Sequence, residues 1–296
     1  MSIIYCIEQF ENFNNNDIYK NSLVKKILLN NSDILNFPSK ISLFPNVEIL
    51  CMSYNKLVEL PNNIVSLVNI KNLYLANNNI IIINNNIGKL VKLKIIHLCN
   101  NKIKNLPIEL FNIKCLEEIN LMNNFLTKIP PLNNLINLKE LCLSYNKINV
   151  LPKSIDSLVN LERLYLHSNK LKFLPKSIGN LKKLNKLFLN NNLIVNLPKT
   201  IYKLCNLEIY LDYNKINFIS KKVLNFKKVF LDKTSYCNLN NLPNNLAFLY
   251  LHNLDIILEN LPINLKELRL YEPKVDYTQI KIPFNCLLYV DDVIKN

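Results

Sequence analysis

The feature of this 296-residue chain that most constrains its fold is a repeat that keeps one phase over most of its length. The segments LVNIKNLYLANNNI and LVNLERLYLHSNKL share the pattern LxxLxLxxNxL, in which Ile, Val or Met can replace Leu. The first apolar position recurs every 23 residues, apart from one step of 22, at Val24, Val47, Ile70, Leu93, Leu116, Leu138, Leu161, Leu184 and Leu207. One such unit cannot bury its apolar side alone, so the repeat predicts a stacked solenoid.

The two halves of each repeat predict different local structures. Short apolar alternation, as in Leu73-Tyr74-Leu75, is typical of a β-strand. The second half contains LPxxIxxL, in which proline sets the entry and an apolar spacing of three suits a short helical turn. This phrase begins at Leu60, Leu151, Leu174 and Leu197. Parallel strands need such a crossover between them, so each repeat predicts one coil.

The phase of each residue in the repeat predicts whether it is buried. Leucines at the first, fourth, sixth and eleventh positions should point inward, each contributing roughly 1.5–3 kcal/mol. The fourth position predicts a buried column of Leu73, Ile96, Ile119, Leu141, Leu164 and Leu187. The asparagine after each strand is expected to satisfy backbone groups of adjacent coils. It stands at Asn55, Asn78, Asn101, Asn124, Asn146, Asn169, Asn192 and Asn214, with Ser32 in the first unit.

These motifs resemble the leucine-rich-repeat family, specifically its 23-residue intracellular class with LPxxI in the variable half. The LPxxI phrasing is similar to that of the Ras-group repeat proteins of plants and animals. Near the C-terminus, LPNNLAFLYL and LPINLKELRL recur after 19 residues and resemble the compact repeats of some bacterial effectors and the FNIP-type repeats of amoebae. The resemblance implies an α/β solenoid, a leucine-rich-repeat horseshoe with a parallel sheet on its concave face and short helices or 3-10 turns on its convex face.

The limits of the repeats predict three parts of the chain. Residues 1–20 are expected to form an N-terminal cap, residues 21–276 a leucine-rich-repeat domain, and residues 277–296 a C-terminal cap. The domain has about twelve repeats, of which the last three are irregular or short. Caps are expected because both ends of a sheet need protection from edge-to-edge pairing.

The composition of the chain indicates which compartment it occupies and which class of partner it binds. The formal net charge is +14, which by itself would favour nucleic acid or an anionic surface as an alternative partner. Nearly all of the positive charge is lysine, and only Arg163 and Arg269 offer the bidentate contacts that nucleic-acid sites favour. No apolar run approaches the ~18 residues of a membrane helix, and the N-terminal residues lack a signal-peptide pattern. We therefore predict an intracellular, cytoplasmic, monomeric protein that contacts no membrane and keeps its cysteines reduced.

The pattern favours no enzymatic chemistry, so we expect no catalytic residue, cofactor or metal. A phosphate-binding loop needs several glycines, and this chain has only Gly88 and Gly179. The histidines are too widely spaced along the repeats to share a metal ion. Glu118 and Glu140 occupy one phase of adjacent coils, like the carboxylate pair of a retaining glycosidase, but a mixed charge ladder explains them better.

The position between the two strand leucines must point away from the core. It is occupied by Leu28, Cys51, Tyr74, His97, Asn120, Cys142, Tyr165, Phe188, Tyr210, Phe230, Tyr250 and Arg269. Its five consecutive aromatic residues predict an aromatic band, and exposed aromatic side chains anchor protein interfaces. We therefore expect a non-enzymatic scaffold or adaptor that binds another protein on its concave face. The expected contact residues are Tyr74, His97, Glu140, Tyr145, Arg163, Tyr165, Lys186, Phe188, Tyr210, Tyr213 and Tyr250.

Overall fold

The computed structural model describes residues 3–13, 18–204, 206–216, 226, 228–232, 242, 244 and 246–295. The chain divides into two compact units. The first unit comprises Met1–Lys147 and Ser157–Leu161, and the second comprises Ile148–Asp156 and Glu162–Asn296.

The first unit is built around a parallel β-sheet. Its strands are β1 (Ile3–Ile4), β2 (Lys26–Leu28), β3 (Ile49–Cys51), β4 (Glu59–Leu60), β5 (Asn72–Tyr74), β6 (Ile82–Ile83), β7 (Ile95–His97), β8 (Glu118–Asn120) and β9 (Glu140–Cys142). The strands β1, β2, β3, β5, β7, β8 and β9 pair in that order, and β4 pairs with β6 in a separate parallel ribbon. Two short helices, α1 (Ile7–Glu11) and α2 (Ile18–Leu23), lie between β1 and β2 in the chain.

The second unit repeats this architecture. Its strands are β10 (Arg163–Tyr165), β11 (Lys186–Phe188), β12 (Glu208–Tyr210), β13 (Lys228–Asp232), β14 (Phe248–His252), β15 (Glu267–Tyr271), β16 (Leu287–Val290) and β17 (Val293–Lys295). From β10 to β16 each strand pairs in parallel with the next, whereas β17 pairs antiparallel with β16. Residues 277–296, predicted to be a cap, thus contain a further parallel strand and an antiparallel hairpin; the predicted cap boundaries stay a prediction.

Many of the described crossovers contain a 3-10 helix, whereas residues 121–139 and 253–266 cross between strands without one. In the first unit these helices span Ser39–Leu43, Asn62–Ser66, Asn85–Lys89 and Ile108–Asn112. In the second unit they span Lys176–Asn180, Lys199–Lys203 and Tyr277–Gln279, and Lys153–Ser157 contains residues of both units. Several follow the proline of the LPxxI phrase, which occupies the extended residue before the helix. Segments of three to five residues are the usual length of 3-10 helices.

The strand register places the predicted leucine column inside each unit. In the first unit Leu73 is paired with Ile96 and Ile119 with Leu141, and all four side chains are fully buried. In the second unit the column runs through Leu164, Leu187, Ile209, Val229, Leu249, Leu268 and Leu288. The first-position residues from Val24 to Leu207 are buried as well. The predicted α/β solenoid fold, with its parallel sheet and 3-10 turns, is therefore confirmed in each unit.

The repeated asparagines join neighbouring coils, as the sequence predicts. The side-chain amide of Asn101 donates to the carbonyl oxygens of Leu75 at 3.0 Å and Leu98 at 3.0 Å. Its side-chain oxygen accepts from the backbone N–H of Ile80 at 2.9 Å. Leu75 and Ile80 belong to the preceding coil, so one buried side chain satisfies backbone groups of two coils. Asn192 in the second unit makes the equivalent bonds to Leu166 and Leu171.

Candidate partner-binding surface

The sheet face opposite the leucine core is the surface that the sequence predicts to be concave, and we call it the open face. In the second unit it carries a column of stacked rings. Ring centroids lie 4.7 Å apart between Tyr165 and Phe188, 4.2 Å between Phe188 and Tyr210, 4.0 Å between Tyr210 and Phe230, and 4.2 Å between Phe230 and Tyr250. The ring planes are within 17° of parallel. We call these five residues the aromatic ladder.

The ladder follows from the strand register. Tyr165 lies opposite Phe188 on the next strand, and Phe188 opposite Tyr210, so residues of one phase become direct neighbours. Parallel strands are about 4.8 Å apart, which is close to the separation at which aromatic rings stack. Each stacked pair stabilises the sheet by about 0.5–1.5 kcal/mol beyond simple burial. Because neighbouring rings cover one another's faces, the ladder presents mainly ring edges and tyrosine hydroxyls.

An arginine ends the ladder. The guanidinium carbon of Arg269 lies 5.7 Å from the ring centroid of Tyr250 and 4.3 Å from that of Tyr289. Its Nε donates to Glu267 Oε1 at 2.7 Å, and its Nη1 pairs with Asp292 Oδ1 at 3.0 Å. The arginine therefore combines two cation–π contacts with two carboxylate contacts, which fixes its position.

Tyr250 has a different role from the other ladder residues. It is only 7% exposed, and its hydroxyl donates to Glu267 Oε1 at 2.8 Å. Burial raises the pKa of Tyr250, and the hydrogen bond to Glu267 raises it further. Burial alone would raise the pKa of Glu267, but hydrogen bonds from Arg269 and Tyr250 outweigh it and lower that pKa. Tyr250 thus supports its neighbours and offers little surface of its own.

Charged side chains run beside the ladder on the same face. Arg163 lies opposite Lys186 in the register, Lys186 opposite Glu208, and Glu208 opposite Lys228. On the other side of the ladder, the ring of His167 meets that of Phe188 edge-on, with centroids 6.4 Å apart. Burial lowers the pKa of His167, so this ring is neutral at pH 7. An apolar column between polar columns provides both an anchor and a source of specificity.

In the first unit the open face has a smaller polar cluster. The rings of Tyr74 and His97 meet edge-on, with centroids 5.0 Å apart. His97 Nε2 lies 2.5 Å from Glu118 Oε1, and Asn72 Nδ2 donates to the hydroxyl of Tyr74 at 3.1 Å. Glu140 lies opposite Glu118 in the register. Sequence reasoning placed these residues on one face but missed the His97–Glu118 contact, because it considered the histidines only as metal ligands.

Tyr145 and Tyr213 lie at the edge of the open face rather than in its centre. Each directly precedes a repeat asparagine, and their side chains are 49% and 52% exposed. Their backbones have positive φ angles of 54° and 56°, and Tyr54 in an earlier coil has 57°. The left-handed backbone is set by the turn that leaves the strand. These tyrosines therefore extend the aromatic surface of their own unit toward solvent.

The cysteines of the first unit's open face are poor nucleophiles. Cys51, Cys99 and Cys142 are free thiols. Burial raises the pKa of each, in the case of Cys142 to about 11. Thiols with raised pKa values stay protonated and inert at neutral pH. Among the residues that the structure describes, no cluster of three or more His, Cys, Asp or Glu could hold a metal ion. Nor does any described helix have the length and apolar character needed to cross a bilayer.

Comparison with known proteins supports the repeat assignment. The leucine-rich-repeat family model matches residues 116–171. A leucine-rich-repeat protein of Leptospira interrogans is 27% identical over 88% of this chain and 82% of its own, with a TM-score of 0.62. No curated protein is significantly similar in sequence.

Two further solved structures have the same fold. The plant peptide hormone receptor RGFR1, in complex with RGF2, is 25% identical with a TM-score of 0.69; the match covers 91% of this chain and 48% of the receptor chain. An internalin (inlF) of Listeria monocytogenes is 21% identical with a TM-score of 0.65, and covers 95% of this chain and 92% of its own. The repeat phase, the buried leucine columns and these matches lead to one conclusion: the chain has the leucine-rich-repeat fold, and residues 116–171 match the family itself.

Proposed function

We propose that this chain is a non-enzymatic scaffold that binds another protein through the open face of its second unit. The observation that carries the proposal is the aromatic ladder, in which stacked rings stand on a sheet face away from the core. Four of its rings are half-buried, and partly exposed aromatic side chains are typical anchors of protein interfaces. The receptor of similar fold forms a complex with a peptide hormone, which supports a polypeptide as the partner class.

The ladder and the charged residues beside it contribute to recognition in different ways. Tyr165, Phe188 and Tyr210 supply apolar contact area, while Arg163 and Lys186 supply charge beside them. The stacking holds the rings in place before a partner arrives, so little side-chain entropy is lost on binding. Tyr213 extends this surface at the edge of the second unit. In the first unit, Tyr74, His97, Glu140 and Tyr145 form the corresponding contact surface of that unit. Membership of the 23-residue intracellular class, a cytoplasmic location and a monomeric state belong to the same proposal.

The test is affinity capture from the native cell, followed by mass spectrometry. The triple variant Tyr165→Ala, Phe188→Ala, Tyr210→Ala should lose the proteins that the wild-type chain retains. A matched control carries Tyr54→Ala, Phe173→Ala and Phe284→Ala, which remove three exposed aromatic side chains outside the ladder. Circular dichroism establishes that both variants fold. Equal recovery of the same proteins by the folded ladder variant would reject the proposal.

A further inference from the structure

A second surface, on the first unit and away from the open face, combines lysines with exposed apolar side chains. It is an open depression of about 710 Å³, which we call the basic depression. Its lining consists of Ile81, Lys102, Lys104, Asn105, Phe125, Thr127 and Lys147. All of them follow the repeat asparagines, where the chain leaves the strands.

The repeat itself assembles this surface. Lys102, Phe125 and Lys147 each come directly after an asparagine in three consecutive coils. Their backbone N–H groups donate to the preceding coil: Lys102 to Ile80 at 2.9 Å, Phe125 to Ile103 at 2.9 Å, and Lys147 to Leu126 at 2.8 Å. The three side chains therefore start from equivalent, fixed positions, one strand spacing of about 4.8 Å apart.

The charge of the basic depression is uncompensated. No acidic residue lines it, and within the described residues no carboxylate lies within ion-pair distance of Lys102, Lys104 or Lys147. The contrast is Lys56, which occupies the same repeat phase as Lys102 but is paired with Asp33 at 2.8 Å. Three ammonium groups around one concavity attract carboxylates from a partner.

The apolar residues of the basic depression indicate that its partner carries an apolar side chain as well as carboxylates. Phe125 is 43% exposed and Ile81 is 44% exposed, so both side chains offer apolar surface to a partner. The ammonium of Lys147 lies 5.0 Å from the centroid of the Phe125 ring. The lysine therefore covers one face of that ring. With one face of the Phe125 ring covered, the depression offers apolar contact to a side chain but at most one ring face on which a nucleic-acid base could stack.

From this combination we propose that the basic depression docks an acidic peptide segment of a partner protein, with an apolar side chain seated between Ile81 and Phe125. The carboxylates of the segment pair with Lys102, Lys104 and Lys147. The site goes beyond the proposed function of the open face, because its residues belong to the first unit and none is in the aromatic ladder.

The test uses a fluorescent pool of short peptides randomised among Glu, Asp, Leu, Ile and Phe, measured by anisotropy against the full chain. The wild-type chain should bind peptides that combine acidic and apolar residues. The charge reversals Lys102→Glu and Lys147→Glu together should weaken binding by about tenfold or more. Phe125→Ser should weaken binding through its apolar part while leaving the lysines in place.

The matched control is the pair Lys170→Glu and Lys215→Glu, which changes the net charge equally at the same repeat phase in the second unit. It should retain binding within about twofold, because those residues lie outside the basic depression. Phe188→Ala, in the ladder, should bind the pool like the wild-type chain, because Phe188 lies outside the basic depression. Absence of peptide binding, equal weakening by both lysine pairs, or tighter binding of oligothymidylate than of any peptide would overturn the proposal.

Discussion

At the scale of single residues, the repeat asparagine is the buried side chain that bonds backbone groups of two coils. Asn101 is 6% exposed and serves groups on two coils at once. A hydrophobic replacement would leave the carbonyl of Leu75 and the N–H of Ile80 without these partners. Buried groups that lose a partner cost about 1–3 kcal/mol each.

We therefore predict that Asn101→Ala lowers the free energy of unfolding by about 3 kcal/mol. The measurement is urea denaturation followed by circular dichroism. The control is Asn112→Ala, whose side chain makes an exposed bond to Asn134 and should cost under about 0.5 kcal/mol. Similar losses in the two variants would contradict the bridging role of Asn101.

The residue before each asparagine is strained whenever it is not asparagine or glycine. Asn77, Asn100 and Asn123 adopt a left-handed φ at this position in their coils, and asparagine tolerates it well. Tyr54 and Tyr213 adopt it with bulky side chains. A tyrosine there costs stability, and in the second unit it adds exposed aromatic area.

Tyr213→Asn is accordingly expected to raise the free energy of unfolding by about 0.5–1 kcal/mol while weakening capture of the open-face partner. Tyr54→Asn should stabilise the chain similarly and leave that capture unchanged. Denaturation and affinity capture on both variants separate the two effects. A Tyr213→Asn variant that binds as well as the wild-type chain would remove Tyr213 from the contact surface.

At the scale of structural elements, the aromatic ladder behaves as a set of nearest-neighbour contacts between strands. Phe188 stacks on Tyr165 and Tyr210, while Phe230 stacks on Tyr210 and Tyr250. Rings one strand apart touch, and rings two strands apart do not stack. Coupling energies should follow the same order.

A double-mutant cycle tests this arrangement. The pair Phe188→Ala and Tyr210→Ala should show a coupling energy of about 0.5–1.5 kcal/mol, because it removes one shared stack. The pair Phe188→Ala and Phe230→Ala should be additive within about 0.5 kcal/mol. Thermal or urea denaturation of the single and double variants gives both values. Equal coupling in the two cycles would mean that the rings do not act as separate stacked pairs.

The C-terminal hairpin β16–β17 is held by acid-sensitive contacts. Arg269 bonds Glu267 and Asp292, and the pKa of Glu267 is lowered from its ordinary 4.5. A depressed carboxyl pKa gives stability that is fully present above the unfolded-state value and is lost as the pH falls through the folded-state value. Protection of the hairpin should therefore decrease below about pH 4.5.

Hydrogen exchange of β15, β16 and β17 between pH 7 and pH 3, corrected for intrinsic rates, measures this loss. Glu267→Gln should lose protection less steeply in acid, because the variant has no carboxylate to protonate at this site. The exchange of β7 and β8 in the same samples is the internal control. An unchanged acid dependence in the variant would assign the effect to other carboxylates.

At the scale of the whole molecule, the positive charge is large and, outside the basic depression, dispersed. The formal net charge is +14, yet many lysines are paired or stand singly on different coils. Dispersed exposed lysines attract polyanions weakly and are screened over about 8 Å at physiological salt. The distribution favours the protein-binding proposals over the nucleic-acid alternative.

We predict that a labelled DNA duplex shifts with this chain only at low ionic strength and is released near physiological salt. Capture of the open-face partner should persist under the same conditions, since its ladder contacts are apolar. Gel shift and affinity capture across a salt series check both outcomes. Retention of DNA at physiological salt would favour the alternative partner class.

Sequence reasoning predicted the parts of the fold that depend on phase. The leucine column, the bridging asparagines and the outward position of Phe188 follow from a constant period, because identical phases become neighbours on stacked coils. Contacts that depend on side-chain direction were not predicted. The burial of Tyr250 and the clamping of Arg269 between two rings arise in the short C-terminal repeats, where strands are longer and carboxylates lie nearby. Of the predicted irregular and short repeats near the C-terminus, the segments 217–225 and 233–241 lie outside the described residues.

The spacing of the rings in the aromatic ladder limits how a regular partner segment can bind along it. Successive ring centroids are 4.0–4.7 Å apart, whereas side chains on one face of an extended peptide repeat every ~6.8 Å and a helical turn rises ~5.4 Å. Neither period matches the spacing of the rings, so a single extended strand or helix laid along the ladder cannot place one side chain on every ring. If such a partner segment moves along the ladder by one ring, its contacts with ring edges are replaced by similar contacts with the next rings. Binding of this kind is spread over several alignments of the partner segment. Its affinity should therefore decrease gradually, not abruptly, when a single ladder ring is removed.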